Sequence, residues 1–356
     1  MNRSALFASV LICLGGFTLP SHADKVDAFI KSEMDKRKIP GLAVVVVRDG
    51  KTAKSAAYGL SNLEHKTPAR LTTVFEIGSV TKQITAAAIL LLQEDGKLSV
   101  EDKIGKFFPD MPASWMNVTV SHLLHHTSGL KSYTGLNGFE LTRKLTQNQF
   151  VAALAPLPLE FDPGEQYKYC NSGYSLLGYI IENVSGKNYW DFLGERIFSP
   201  LAMTTATNRE PRIIIPNRAS GYEFKNGHPI NRDYDLTDVF AAGAIVATVE
   251  DLAKWNAALD SEKLLSNVSK NQMWTSGKLN NGKSHGYGFG WRLEPFEGHE
   301  TIGHSGSTSG FSASLQRFPD DKICVILLCN SDESNVATTL AKTIGSFYFQ
   351  KKVAER

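Results

Sequence analysis

The sequence predicts a mixed α/β protein of the α+β kind: one antiparallel sheet built from both chain ends, flanked by terminal helices, with a mainly helical lobe inserted between them. Three observations lead there. Apolar, β-branched runs separated by turn residues occur near both ends of the 356-residue chain. Helical patterns fill the middle. The links between neighbouring strands are short, which suits hairpins and not parallel crossovers. The expected division is a leader over 1–23, a sheet-containing lobe over 24–75 and 285–356, and a helical lobe over 76–284.

The leader comes first. Arg3 precedes an apolar run from Ala5 to Leu19, and Ser21-His22-Ala23 has the small-x-small pattern of a secretory cleavage site. The run is too short for a lasting bilayer anchor. Cleavage after Ala23 and a periplasmic or secreted product are expected, with no membrane segment after processing.

Asp24 to Lys38 then reads as an amphipathic helix, with Val26, Phe29, Ile30 and Met34 on one face. Leu42 to Val47 is a strand, Asp49-Gly50 a tight turn, and Thr52 to Tyr58 the returning strand. Ile84 to Leu92 is apolar except for Thr85 and ends at Gly96, which predicts a helix buried on all sides. Further helices are expected over Gln147–Leu154, Ser172–Val184 and Asn188–Ile197, with a short one closing at His122 to His126. Residues 211–235 show little periodicity and read as a long surface excursion. Thr248-x-x-Asp251 resembles a capping box that opens a helix to Leu259. The period then returns to two: Tyr287–Leu293, Glu300–His304, Ser312–Phe318 and Lys322–Cys329 read as strands. Asn335 to Phe349 is the closing helix.

Composition excludes several functions. Lys and Arg number 38 against 36 Asp and Glu, so neither nucleic acid nor an anionic surface is an expected partner. Cys170, Cys324 and Cys329 lie beyond the leader, and an odd number leaves at least one free thiol. Cys324 and Cys329 are five apart on one strand, so they face opposite sides and do not bridge. There is no Cys-x-x-Cys and no His-Glu-x-x-His, so no metal and no other cofactor is expected.

The chemistry concentrates at Glu76-Ile77-Gly78-Ser79-Val80-Thr81-Lys82-Gln83. Three residues apart on a helix, Ser79 and Lys82 share a face. A serine hydroxyl becomes a good nucleophile when a neighbouring base takes its proton. Lysine serves as that base only when neutral, which needs a downward shift of about 3 pKa units from ~10.4. Burial or a nearby cation supplies such a shift. A second Ser-x-x-Lys, Ser128 to Lys131, has a glycine in its middle within a polar loop and reads as structural. Tyr169 and Asn171 stand just before a helix. The tyrosine can relay protons if a cation such as Lys82 lowers its pKa, and Asn171 can bridge a lysine and a substrate amide. His304-Ser305-Gly306-Ser307 ends a strand; Gly306 lets a ligand lie against the backbone, and the Ser307 N–H can join that of Ser79 in holding an oxyanion. Gly282-Lys283-Ser284-His285-Gly286 matches a nucleophile elbow, but it lacks the strand–turn–helix that gives the motif meaning.

Together, Ser79-x-x-Lys82, Tyr169-x-Asn171 and His304-x-Gly306, in that order, resemble the serine β-lactamase and penicillin-binding-protein superfamily. The class C-like branch, with its D-alanyl-D-alanine carboxypeptidases, D-aminopeptidases and esterases, is the nearest likeness. Leu123 to Leu130, Pro163-Gly164-Glu165, Ala242 to Asp251 and Tyr287 to Trp291 support it. The resemblance implies a β-lactamase/transpeptidase-like fold and an acyl-enzyme mechanism. Ser79 would attack a carbonyl, Lys82 and Tyr169 would share the general-base role, and Asn171 would orient Lys82 and the substrate. His304 would stand where relatives carry the lysine of a Lys-Thr-Gly motif, with Gly306 and Ser307 beside it. An ester or peptide bond is the implied target, in a small molecule or a peptidoglycan-like peptide. A monomer is expected. The competing expectations are a catalytically silent wall-binding protein and an α/β hydrolase using Ser284.

Overall fold

A computed structural model describes residues 22–136, 145–210, 212–232 and 239–349. The leader expected over 1–23 lies outside them, apart from its last two residues. The elements are α1 (His22–Arg37), β1 (Gly41–Arg48), β2 (Lys51–Asn62), β3 (Thr67–Pro68), β4 (Phe75–Glu76), α2 (Thr81–Glu94), α3 (Val120–Leu124), α4 (Gln147–Leu154), α5 (Asn171–Ser185), α6 (Tyr189–Leu193), β5 (Thr207–Asn208), β6 (Tyr222–Lys225), β7 (His228–Asn231), α7 (Phe240–Gly243), β8 (Ile245–Ala247), α8 (Val249–Leu259), α9 (Asn267–Met273), β9 (Arg292–Leu293), β10 (Ile302–Thr308), β11 (Phe311–Phe318), β12 (Ile323–Cys329) and α10 (Val336–Ser346).

The two chain ends meet in one sheet of order β3-β2-β1-β12-β11-β10-β9, with every pair antiparallel. β1 and β12 lie side by side at its centre, Val44 opposite Leu327. Both strands are buried on both faces, which is why they read as continuous apolar runs and not as alternating ones. Leu42, Val44 and Val46 face one layer with Val325, Leu327 and Cys329. There they meet Val26, Ile30 and Met34 of α1 and Leu340 and Ile344 of α10. Ala43, Val45, Cys324, Ile326 and Leu328 face the other layer, toward α2, α5 and α8. Cys324 and Cys329 thus point to opposite sides, and both are free thiols, as is Cys170.

The helical lobe is organised by α2, buried without interruption from Thr81 to Leu92. Fully burying each of Ile84, Ile89, Leu90 and Leu92 stabilises the fold by about 1.5–3 kcal/mol. α5 and α7 pack on it, and α7 continues into β8, which pairs with β4 just ahead of Ser79.

Several elements differ from the sequence expectation. Residues 222–231 form the β6–β7 hairpin, closed at Asn226-Gly227 with φ of 53° and 83°. Asn-Gly is a strong hairpin signal that low apolar periodicity hid. The strand expected over Tyr287–Leu293 shrinks to β9. Gly288 and Gly290 lie against other backbone there: a Cβ on Gly290 would sit 2.6 Å from the Lys82 carbonyl oxygen. Those contacts commit the segment to packing instead of pairing. His304 lies within β10, not at its end. At α8, Thr248 Oγ1 accepts the Asp251 N–H at 3.1 Å, but the Asp251 carboxylate accepts from the Thr205 N–H at 3.0 Å and from the Thr205 hydroxyl. The box is therefore half made. Among the described residues, no helix is long and apolar enough to cross a membrane.

Candidate active site

Ser79 sits on a 3-10 turn, Gly78–Val80, that runs into the first turn of α2. Its neighbours Gly78 and Val80 are buried while Ser79 is partly exposed. Lys82 is fully buried. Its Nζ lies 3.0 Å from Ser79 Oγ, 2.8 Å from Asn171 Oδ1 and 2.7 Å from the Ala242 carbonyl oxygen. Asn171 is the first residue of α5, and its Nδ2 donates to Thr134 Oγ1 at 3.2 Å, which turns Oδ1 toward the lysine.

That coordination sets the proton inventory. A neutral amine has two N–H groups and one lone pair. Asn171 Oδ1 and the Ala242 carbonyl can only accept, so they take both N–H groups. With Lys82 neutral, its lone pair faces Ser79 and can receive the hydroxyl proton. Burial holds the Lys82 pKa well below its ordinary value, and the Arg292 cation pushes the same way. Its hydrogen-bond partners supply no carboxylate, and an unpaired buried ammonium is costly. An unprotonated amine so placed can take the proton of Ser79.

Tyr169 hydrogen-bonds Ser79, and Lys82 Nζ lies 4.8 Å from the centre of its ring. The expected lowering of its pKa by Lys82 does not occur. Burial pushes the phenol up, only partly offset by the Ser79 bond and by Arg292. The physical reason is burial of the phenol itself, where a phenolate would be stranded away from water. Tyr169 therefore stays protonated at neutral pH and can donate. The His126 ring packs 4.3 Å from the Tyr169 ring, and His126 Nδ1 accepts the Cys170 N–H at 3.1 Å, so the tyrosine is braced from the side.

β10 closes the other wall. A Cβ on Gly78 would meet the Ser307 backbone nitrogen at 2.7 Å, and one on Gly306 would lie 1.9 Å from the Ile77 carbonyl oxygen and 3.1 Å from the Ser79 nitrogen. Two glycines thus let strand and turn touch, with the backbone nitrogens of Ser79 and Ser307 on the facing segments. Gly306→Ala is expected to force β10 off the turn and to slow covalent labelling of Ser79 at least tenfold. Thermal unfolding should remain cooperative. Labelling at the parental rate would show that this contact does not matter.

His304 is placed differently from the expectation. It is buried; Nε2 accepts from the Tyr287 hydroxyl at 2.8 Å and Nδ1 donates to the Ser305 carbonyl at 2.6 Å. Burial above all lowers its pKa to about 3, so it is neutral and both ring nitrogens are engaged. It supports β10 from beneath. The cation at the site is Arg292, whose guanidinium lies 5.8 Å from the Tyr169 ring centre. Sequence reasoning passed over Arg292, Tyr287 and His126. Arg292 carried one usable signal: no other Lys or Arg occurs between Lys283 and Arg317.

The decoys fall away. Ser284 is exposed, hydrogen-bonds Ser276 at 2.6 Å and precedes no helix. Ser128 is buried, with its hydroxyl accepting the Leu130 N–H. Among the described residues, no group of three His, Cys, Asp or Glu could hold a metal.

Residues 26–345 match the profile of the family described as Beta-lactamase. The chain is 32% identical over 311 residues to Penicillin-binding protein 4* of Bacillus subtilis, covering 82% of this chain and 68% of that protein. Other curated relatives are longer still, and this chain spans 64% of their length. Among solved structures, an octameric penicillin-binding protein homologue from Pyrococcus abyssi superposes with a TM-score of 0.75 at 31% identity, over 89% of this chain and 75% of that one. A D-stereospecific amidohydrolase from Streptomyces sp. superposes with a TM-score of 0.77 at 26% identity, over 90% and 97%.

Proposed function

Since the chain belongs to the beta-lactamase family, we propose that it is a serine hydrolase that cleaves an ester or peptide-like bond through an acyl-enzyme on Ser79. The observation that carries this is the buried Lys82, whose Nζ lies 3.0 Å from Ser79 Oγ and within hydrogen-bond distance of two pure acceptors, Asn171 Oδ1 and the Ala242 carbonyl.

In acylation, Ser79 Oγ bonds to the substrate carbonyl carbon as its proton passes to Lys82 Nζ. The carbonyl oxygen gains charge, which the N–H groups of Ser79 and Ser307 stabilise. The carbonyl–leaving-group bond then breaks, and the leaving group takes a proton by way of Tyr169, which is replenished from Lys82. Water enters the vacated place and attacks the acyl carbon as its proton passes to Lys82; the bond to Ser79 Oγ then breaks, Lys82 returns the proton to Ser79 and the acid leaves. Lys82 is the principal base, Tyr169 the relay, and Asn171 the group that aims the lysine.

Arg292 offers a fixed cation beside Tyr169, so the favoured substrates carry a carboxylate near the scissile bond, as a peptidoglycan-like peptide does. The same reading keeps the enzyme outside the cytoplasm, periplasmic or secreted. Turnover of paired substrates tests it. A charge-assisted hydrogen bond of about 1.5–3 kcal/mol predicts that Arg292→Ala raises KM roughly 10–100-fold for an acyl donor bearing a carboxylate. KM for neutral p-nitrophenyl acetate should stay within about twofold. Equal losses on both substrates, or no turnover of either by the parent enzyme, would overturn the assignment.

A further inference from the structure

The side-chain amide of Asn171 can face Lys82 in two ways that have nearly the same shape. With Oδ1 toward Nζ it accepts a lysine N–H; turned over, it presents N–H donors instead. A donor there would occupy the lone pair of a neutral Lys82. It would also repel the ammonium that forms when Lys82 takes a proton. Only the first orientation leaves the base free. Oδ1 stands 2.8 Å from Nζ, so the partner at the far end of the amide decides how much of the protein is reactive.

That far end meets a short 3-10 turn, Tyr133–Gly135. Asn171 Nδ2 donates to Thr134 Oγ1 at 3.2 Å, Thr134 Oγ1 lies 2.9 Å from Ser132 Oγ, and Ser132 Oγ accepts the Asn171 backbone N–H at 3.1 Å. The three bonds close a ring on one residue. A threonine hydroxyl has one proton and two lone pairs. Once that proton goes to Ser132, only lone pairs are left for the amide, and they call for Nδ2. The two hydroxyls do this from outside the reactive groups: Ser132 is half-buried and Thr134 exposed.

Other contacts fasten the turn to the start of α5. The Tyr133 N–H donates to Ser172 Oγ at 2.9 Å, and Ser172 Oγ donates to the Lys131 carbonyl at 2.7 Å. The buried Tyr133 ring packs 5.7 Å from that of Phe150. Removing the Thr134 hydroxyl should therefore keep the backbone in place and change only the choice of amide face. A water in its stead can donate as well as accept, so it selects neither face. Of the titratable groups around Lys82, burial keeps Tyr169, Cys170 and Tyr174 protonated and His126 and His304 neutral, while Arg292 is charged. Valine at position 134 alters the charge of none of them.

We propose that Ser132 and Thr134 are positioning residues that lock the Asn171 amide with its oxygen on Lys82 and so keep the base of Ser79 free. This role rests on the acyl-enzyme reading of Ser79. Its signature couples rate to pH. In Thr134→Val, chains with a neutral Lys82 divide between the two amide orientations, of which one reacts, whereas a protonated Lys82 draws Oδ1 back. Labelling of Ser79 by a fluorophosphonate, followed from acid to alkaline pH, reads both effects. The alkaline plateau should fall about fivefold or more in Thr134→Val. For each tenfold lost there, the midpoint should move about one pH unit to the acid side, and at the acid end the variant and parental rates should meet. Thr134→Ser keeps the hydroxyl and should restore plateau and midpoint together. Ser132→Ala, which frees the Thr134 proton to serve the other amide face, should give the same coupled change. Thermal unfolding of Thr134→Val should match the parent. A lowered plateau with an unmoved midpoint would mean a merely structural role and overturns the assignment. So does a Thr134→Val profile that coincides with the parental one. A parent chain that is never labelled overturns the hydrolase reading itself, and the role of the two hydroxyls with it.

Discussion

Ser79→Ala is expected to form no covalent adduct when the protein is treated with a penicillin, a short ester or a D-Ala-D-Ala peptide and weighed intact. The unaltered chain should gain the mass of the acyl group. The expectation follows from position. Ser79 is the partly exposed residue of a turn whose flanking residues are buried, and its hydroxyl oxygen lies 3.0 Å from Lys82 Nζ. Alanine keeps the turn and α2, so the variant should unfold at nearly the parental temperature and fail only in chemistry. Ester turnover should fall to what an oxyanion hole and binding supply without a nucleophile, about 10³–10⁴-fold over water. Ser284→Ala is the control. Ser284 is exposed, bonds another serine and has no base beside it, so adduct formation should be unchanged. An adduct on Ser79→Ala, or one lost in Ser284→Ala, would remove Ser79 as the nucleophile.

The sheet and the central helix were legible in the sequence because burial there is complete and leaves a simple mark. β1 and β12 are apolar on both faces, and α2 is apolar all round. The pairing of Ser79 with Lys82 was legible because it is local, three residues apart. What depended on distant packing was not. Tyr169 was expected to have its pKa lowered by Lys82, but burial of the phenol itself pushes it the other way. His304 was expected to meet substrate, but Tyr287, seventeen residues earlier, takes its outer nitrogen. Arg292 stands at the site because two glycines turn the segment before it against α2 and α9, which no periodicity reveals.

Lys82→Met should separate reactivity from stability more sharply than any other change. A methionine fills a similar volume and cannot accept a proton, so the rate of Ser79 labelling should drop by about 10²–10⁴, the usual contribution of a general base. In the parent, labelling should rise with pH as Lys82 loses its proton. Because burial depresses that pKa, the rise should lie well on the acid side of the ordinary lysine range. Stability carries an independent sign. The folded lysine binds its proton less tightly than the unfolded one, whose value is near 10.5. Between the depressed folded value and that unfolded one, the unfolded chain therefore holds more protons, and stability increases with pH. The contribution is fully present above the unfolded pKa and is lost as pH falls through the folded one. Relative to Lys82→Met, the parent should gain up to about 1.4 kcal/mol per pH unit across that window. Denaturant titrations of both proteins at pH 7, 8 and 9 read this difference directly, whatever methionine costs by leaving Asn171 Oδ1 and the Ala242 carbonyl without a donor. That cost is independent of pH and cancels in the slope. A flat difference between the two proteins would mean that Lys82 is charged in the folded state, and the lone pair assigned to the serine would then not exist.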